Sequence, residues 1–304
     1  KDYVIFGDSL TDVGNYTTSA NNCIYFNAPI TNHKNKIKNQ YTNTTWADAG
    51  RLKNILSSNE GGTNYAVAGY TTAHILTSVK NYTSNHQVDA DTLYIIWAGT
   101  NDVLYAVSNR WPDEAIKETL TDGVNNIILS LNTLYERGAR HFLVIGLMDL
   151  SLTPMSTYSQ TDQSMLLGLF PKNEDKSRLH RACFEWNKLL FSNLPHFNHN
   201  HLEQFRKNHS TSHIYTWNPI PLLADIVKNP EHYGYSTTHL VFNTKSSTRQ
   251  DTYYPISQIT HCGNTANNAN ANPDDYMFYN FIHPTPHLYS IMEHDLMKHA
   301  VETS

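Results

Sequence analysis

Three short runs along the chain are apolar at successive positions rather than at alternate ones. They are YVIFG (3–7), TLYIIWAG (92–99) and HFLVIGL (141–147). A strand with no polar face is covered on both sides, as in a parallel sheet sandwiched by helices. Between the second and third runs lies EAIKETLTDGVNNIILSLNTLYERGA (114–139), whose apolar residues recur at helical spacing and which stops at Gly138, a good C-terminal cap. Strand, helix and strand in that order predict an α/β class with a mainly parallel sheet.

Further along, KSRLHRACFEWNKLLFSNL (176–194) repeats the helical spacing and leads into IYTWN (214–218), giving another helix and strand. PIPLLADIVKNP reads as a short helix halted before Pro230, and HLYSIMEHDLMKHA (287–300) as a last helix. From His232 to Asp275 the pattern weakens into Ser, Thr, Asn and Tyr. The low-complexity stretch NTANNANANPDD marks a long exposed loop there. Without an internal repeat or a linker, residues 1–304 read as one domain with a loop insertion around 236–275.

Composition narrows the class. Apolar residues make up 39% and charged ones only 16%, so a core is affordable and disorder is not the expectation. A net charge of −5 lacks the dense basic face that nucleic acid requires. No run is long and apolar enough for a membrane-spanning helix. The chain begins at Lys1, which reads as a processed or trimmed form with any signal peptide outside it. Cys23, Cys183 and Cys262 fit either one disulfide plus a thiol or three reduced thiols, and their spacing matches no zinc pattern. The His-rich HFNHNHLEQF (196–205) lacks carboxylates or Cys at ligand spacing, so a polar helix face or loop is expected there and no metal.

In a parallel sheet the functional groups gather at the strands' C-terminal ends. FGDSLTDVGN puts Ser9 just past the first strand, as either a helix cap or a nucleophile. GTNYAVAGYTT (62–72) holds Gly69 in a small-residue turn, WAGTND (97–102) holds Asn101, and YNFIHPT (279–285) holds His283 before the last helix. Acyl transfer needs a hydroxyl nucleophile, an imidazole that takes and returns its proton, and donors aimed at the developing oxyanion. Ser9, His283, and the N–H groups of Ser9, Gly69 and Asn101 supply those types. Asp8, Asp12 and Asn15 are expected to hold the nucleophile loop through its backbone.

The four blocks, in this order from the first strand to near the C-terminus, resemble the GDSL (SGNH) hydrolases. Their wording is most similar to the bacterial lipase branch of lysophospholipases, phospholipases A and glycerophospholipid:cholesterol acyltransferases. The resemblance implies a three-layer, flavodoxin-like α/β/α sandwich with no metal or other cofactor. It implies Ser9 as nucleophile, Gly69 and Asn101 as oxyanion donors, and His283 as base. It also implies a lipid-ester substrate, transient contact with a membrane surface, and a secreted or periplasmic location. In the family an Asp three residues before the His orients the imidazole, and here that position is Asn280. An impaired triad, a Ser–His dyad, or a carboxylate from Asp274 or Asp275 remain open readings. A carbohydrate or aryl esterase, or a binder of lipid or glycan without turnover, are the rival functions.

SMLLGLFPK (164–172) reads equally as an apolar lip receiving an acyl chain, through Leu166, Leu167 and Phe170, or as a short core helix. Tyr70, Trp97 and Tyr105 are candidates for the same groove, or for core. A disulfide from Cys262 to Cys23 or Cys183 would tether the long loop.

Overall fold

A computed structural model of the chain describes residues 3–11, 63–153, 156, 173–191, 201–235, 256–260, 263–266, 277–278, 282–284 and 286–302. Its centre is a six-stranded sheet in the order β2-β1-β3-β4-β5-β8. The strands are β1 (Tyr3–Gly7), β2 (Thr63–Asn64), β3 (Leu93–Trp97), β4 (His141–Ile145), β5 (His213–Trp217) and β8 (Val301–Glu302). All pair in parallel except β8, which runs antiparallel to β5. The three apolar runs are β1, β3 and β4, three of the four inner strands, and Ile5, Phe6, Ile95, Ile96, Phe142 and Val144 are completely buried. Each such side chain contributes about 1.5–3 kcal/mol by leaving water.

Register makes the sheet's upper edge flush. Gly7 pairs with Trp97, Trp97 with Ile145, and Ile145 with Trp217, so four strands end in one row. Chain order then decides what stands above that row. The steps from β2 to β3, β3 to β4 and β4 to β5 all move the same way across the sheet, and right-handed crossovers put their helices on one face. These are α1 (Thr72–Asn85), α2 (Thr100–Ser108), α3 (Asp113–Glu136), α4 (Asn173–Phe191) and α5 (His201–Asn208). The step from β1 to β2 reverses direction, which opens a crevice between the ends of β1 and β3.

The helix ends follow local chemistry. Pro112 caps α3, with Asp113 and Glu114 against the positive end of its dipole. At the other end Gly138 takes φ +120, and the N–H groups of Gly138 and Ala139 satisfy the carbonyls of Tyr135 and Leu134. Helix α6 (Ile220–Lys228) stops before Pro230 as its sequence predicts.

The third layer is fixed by the alternation of β5. Phe142 of β4, level with Ile214, meets Phe205 of α5 with ring centroids 5.8 Å apart. Trp217, three residues on from Ile214, therefore points to the opposite face. There its indole N–H donates to Asp295 of α7 (Pro286–His299) at 2.9 Å. The result is the α/β/α sandwich. Part of the segment read as one exposed loop is instead a hairpin, β6 (Ile256–Thr260) with β7 (Gly263–Ala266). Cys183 is a free thiol, fully buried on α4, whereas Cys23 and Cys262 lie outside the described residues.

Candidate active site

The first strand ends in a tight turn that carries Ser9. Gly7 is required there, since a Cβ would lie 2.0 Å from Thr11 Oγ1 and 3.0 Å from the Trp97 carbonyl. Asp8 then holds the turn as its sequence position predicts. Its carboxylate Oδ1 accepts from the Leu10 N–H at 2.9 Å, and its carbonyl accepts from the Thr11 N–H at 3.1 Å. Asp12 and Asn15 lie outside the described residues. Ser9 is largely buried, with 9% of its surface exposed.

The second block lines up beside this turn. Past β2 the chain continues the ladder, with the Tyr65 N–H on the Ile5 carbonyl and the Val67 N–H on the Gly7 carbonyl. Two residues later Gly69 takes φ +82, a conformation that favours glycine. A Cβ built there meets nothing within 4 Å, so Gly69 borders open space, and its N–H is uncommitted among the described residues.

The third block closes the other side. Asn101 is in the first turn of α2, directly past β3. Its side-chain N–H donates to the Tyr70 carbonyl at 2.8 Å, and an amide nitrogen retains a second hydrogen for another acceptor. Next to it, the Asp102 carboxylate accepts from the Thr72 N–H at 3.0 Å and the Thr72 hydroxyl at 2.7 Å. Burial lifts the Asp102 carboxyl above the ordinary carboxylate range, opposed by those two bonds. The starts of α1 and α2 are thus locked together around Gly69 and Asn101.

His283 arrives from the far end of the chain. Phe278 and Pro284 form an antiparallel bridge, and His283 sits within the loop that they close, three residues before α7. It is 2% exposed, and burial alone lowers its imidazole to about 3, so the ring is neutral and a proton acceptor over ordinary pH. The Tyr289 hydroxyl of α7 donates to the Leu10 carbonyl at 2.8 Å, joining that end of the chain to the turn of Ser9.

Ser9, Gly69 and Asn101 therefore stand at the C-terminal ends of three adjacent strands. Asn280, Leu166, Leu167 and Phe170 lie outside the described residues. Tyr70 is half-buried, its ring stacked on His74 with centroids 5.2 Å apart. Trp97 is wholly core, whereas Tyr105 is 63% exposed. No cluster of metal-ligating side chains occurs among the described residues.

Sequence reading missed Asn64, whose amide donates to the Thr11 carbonyl at 2.7 Å and accepts from the Ala66 N–H at 2.9 Å, bracing the turn of Ser9 from the side. It missed Asp102 and Tyr289 as well. Asn64 and Asp102 lie inside blocks already singled out, where a short polar side chain next to a strand end was the available signal. Nothing local marked Tyr289.

The family profile described as GDSL-like Lipase/Acylhydrolase matches residues 3–296. Lipase 1 of Photorhabdus luminescens is 30% identical over 160 residues, covering 49% of this chain and 22% of that protein. A GDSL esterase/lipase of Arabidopsis thaliana is 24% identical over 220 residues, covering 69% and 52%. The chain thus spans about half or less of the length of these curated relatives. A lipolytic G-D-S-L protein of Veillonella parvula is a structural neighbour at 12% identity with a TM-score of 0.47, covering 98% of this chain and 97% of that one.

Proposed function

The chain belongs to the GDSL-like lipase/acylhydrolase family, and from that premise we propose that it cleaves carboxylic esters of lipids through an acyl-enzyme on Ser9. The observation that carries this reading is the placing of Ser9, Gly69 and Asn101 just past the C-terminal ends of the adjacent strands β1, β2 and β3, with Gly69 bordering open space.

In the proposed cycle His283 takes the Ser9 hydroxyl proton as Oγ attacks the acyl carbonyl carbon. The carbonyl π pair moves onto oxygen, where the Gly69 N–H and the second Asn101 amide hydrogen receive the charge. Collapse expels the alkoxide, to which His283 returns the proton. Water, deprotonated by the same imidazole, then releases the carboxylic acid and restores Ser9. A lipid alcohol such as a sterol replacing that water turns hydrolysis into acyl transfer with the same bonds made and broken.

Lysophospholipids are the first substrates proposed, then phospholipids. The lipase relative and the exposed Tyr105 on the Asn101 face of α2 support a lipid over a sugar ester. Asn280 is the observation behind a second reading, recognition of lipid without turnover.

The test uses p-nitrophenyl acetate, p-nitrophenyl laurate and lysophosphatidylcholine with the parent chain and Ser9→Ala. Turnover of lysophosphatidylcholine by the parent, lost in Ser9→Ala, is expected. Turnover of the acetate alone would replace lipid by a small ester. Binding of lysophosphatidylcholine with no turnover of any ester would establish the second reading.

A further inference from the structure

We propose that Tyr289 is a positioning residue for acyl transfer, its hydroxyl setting the nucleophile turn against the segment that bears His283. This rests on the Ser9 acyl-enzyme reading.

Leu10 directly follows the nucleophile, and both of its main-chain polar groups are held by side chains. The N–H goes to Asp8 Oδ1 at 2.9 Å, a local turn contact. The carbonyl accepts from the Tyr289 hydroxyl at 2.8 Å, a contact between residues 279 apart in sequence. Tyr289 is 1% exposed, so its ring fills core that a phenylalanine would fill equally well. What the hydroxyl adds is direction. A hydrogen bond to a carbonyl is steep in angle and distance, and apolar packing is not.

The helix beneath makes that direction useful. Tyr289 lies in the first turn of α7, and His283 precedes α7 by three residues. Six residues on, about 1.7 turns, Asp295 of the same helix accepts from the Trp217 indole N–H at 2.9 Å. Helix α7 is therefore pinned at one point to the nucleophile turn and at another to the end of β5. A rigid rod tied at two points holds the loop at its start in one place, and the nucleophile and base share that frame.

A purely structural hydroxyl would lower stability on removal and leave the chemistry alone. The discriminating pair is Tyr289→Phe and Tyr94→Phe. Tyr94 is also fully buried, and its oxygen accepts from the Asp89 N–H at 2.9 Å, below the sheet's other edge. Both variants are compared with the parent for melting temperature, for kcat and KM on p-nitrophenyl butyrate, and for the rate at which a fluorophosphonate modifies Ser9.

Tyr289→Phe is expected to lose roughly tenfold or more in kcat and in the modification rate, with KM unchanged, since small misplacements of reacting groups cost factors of this size. Tyr94→Phe is expected to lose melting temperature alone. Equal loss of melting temperature in both with kcat retained would overturn the positioning role while leaving the Ser9 reading intact. Parental turnover in Ser9→Ala would remove the reading and this proposal together.

Discussion

Asn101 donates its side-chain N–H to the main-chain carbonyl of Tyr70 across 2.8 Å, tying the third block of the site to the residue after Gly69. That bond fixes the rotation of the amide, so its remaining N–H has a set direction before any substrate binds. Preorganised donors of this kind need no rearrangement when charge develops. Asn101→Ala should lower kcat by about 10²–10³. Asn101→Asp should do worse, since it removes the donor and sets a negative charge where the oxyanion forms. Single-turnover acylation measured with p-nitrophenyl butyrate reads both; an Asp variant faster than the Ala one would take Asn101 out of the oxyanion hole.

Gly69→Ala isolates the second donor. The backbone there has φ +82, so a Cβ costs about 1–2 kcal/mol of strain although open space awaits it. If the chain keeps its conformation, melting falls modestly and the methyl shadows the N–H. If it relaxes, the N–H turns away. Either way kcat falls well beyond what the lost stability explains, and activity measured far below the melting temperature shows it.

How much of this was legible beforehand depended on what each element needed from distant residues. The inner strands were plain, because residues such as Ile95 and Val144 meet helices on both faces and nothing polar interrupts them. Helix α1 was not. Its sequence, TAHILTSVKNYTSN, is rich in Thr, Ser and Asn, which favour helix weakly, and its buried stripe rests on Ile75, Val79 and Tyr82 with two threonines. Strands β2 and β8, two residues each, are too short to show any period. Ser9, Gly69 and Asn101 were visible because each sits within a few residues of a strand end. Tyr289 was invisible for the opposite reason, its partner Leu10 being at the other end of the chain.

Gly123→Ala offers a case where two rules oppose each other. In a helix interior the change normally stabilises by about 0.5–1 kcal/mol. On α3, however, the new Cβ would lie 2.4 Å from Trp186 Cη2, a ring with no exposed surface that also packs against Gly99. Overpacking costs about 1–3 kcal/mol, so the clash wins and the variant is less stable. Urea midpoints decide it, and a Trp186→Phe background should reverse the sign.

Acid should separate catalysis from stability. His283 is lowered to about 3 by burial, from about 6.5 when unfolded. For a histidine held neutral, folding is favoured above the unfolded value. That contribution fades as pH falls from about 6.5 toward 3, where the unfolded chain takes up a proton and the folded one does not. The base itself stays available over the same range. The acid limb of kcat/KM should therefore lie well below 6.5, while the melting temperature already declines. A rate profile breaking near 6.5 with melting unchanged would show a solvated, ordinary imidazole.

Asn280→Asp tests the departure from the family pattern. An amide at this position can accept from the imidazole N–H and hold the ring, but it cannot stabilise the imidazolium formed as Ser9 attacks. In serine proteases the reverse change, Asp to Asn, costs about 10⁴ in kcat. Restoring the carboxylate should raise turnover by orders of magnitude and, by favouring the charged ring, shift the acid limb of the rate upward. The two effects have one cause and must come together. Faster turnover with an unmoved acid limb would assign the gain to ring orientation. An unchanged rate would mean that a dyad, or a carboxylate such as Asp274 or Asp275, already serves His283. Replacing each of those two by Asn in the parent chain then tells the alternatives apart, because only a true partner carboxylate shifts the profile when it is lost.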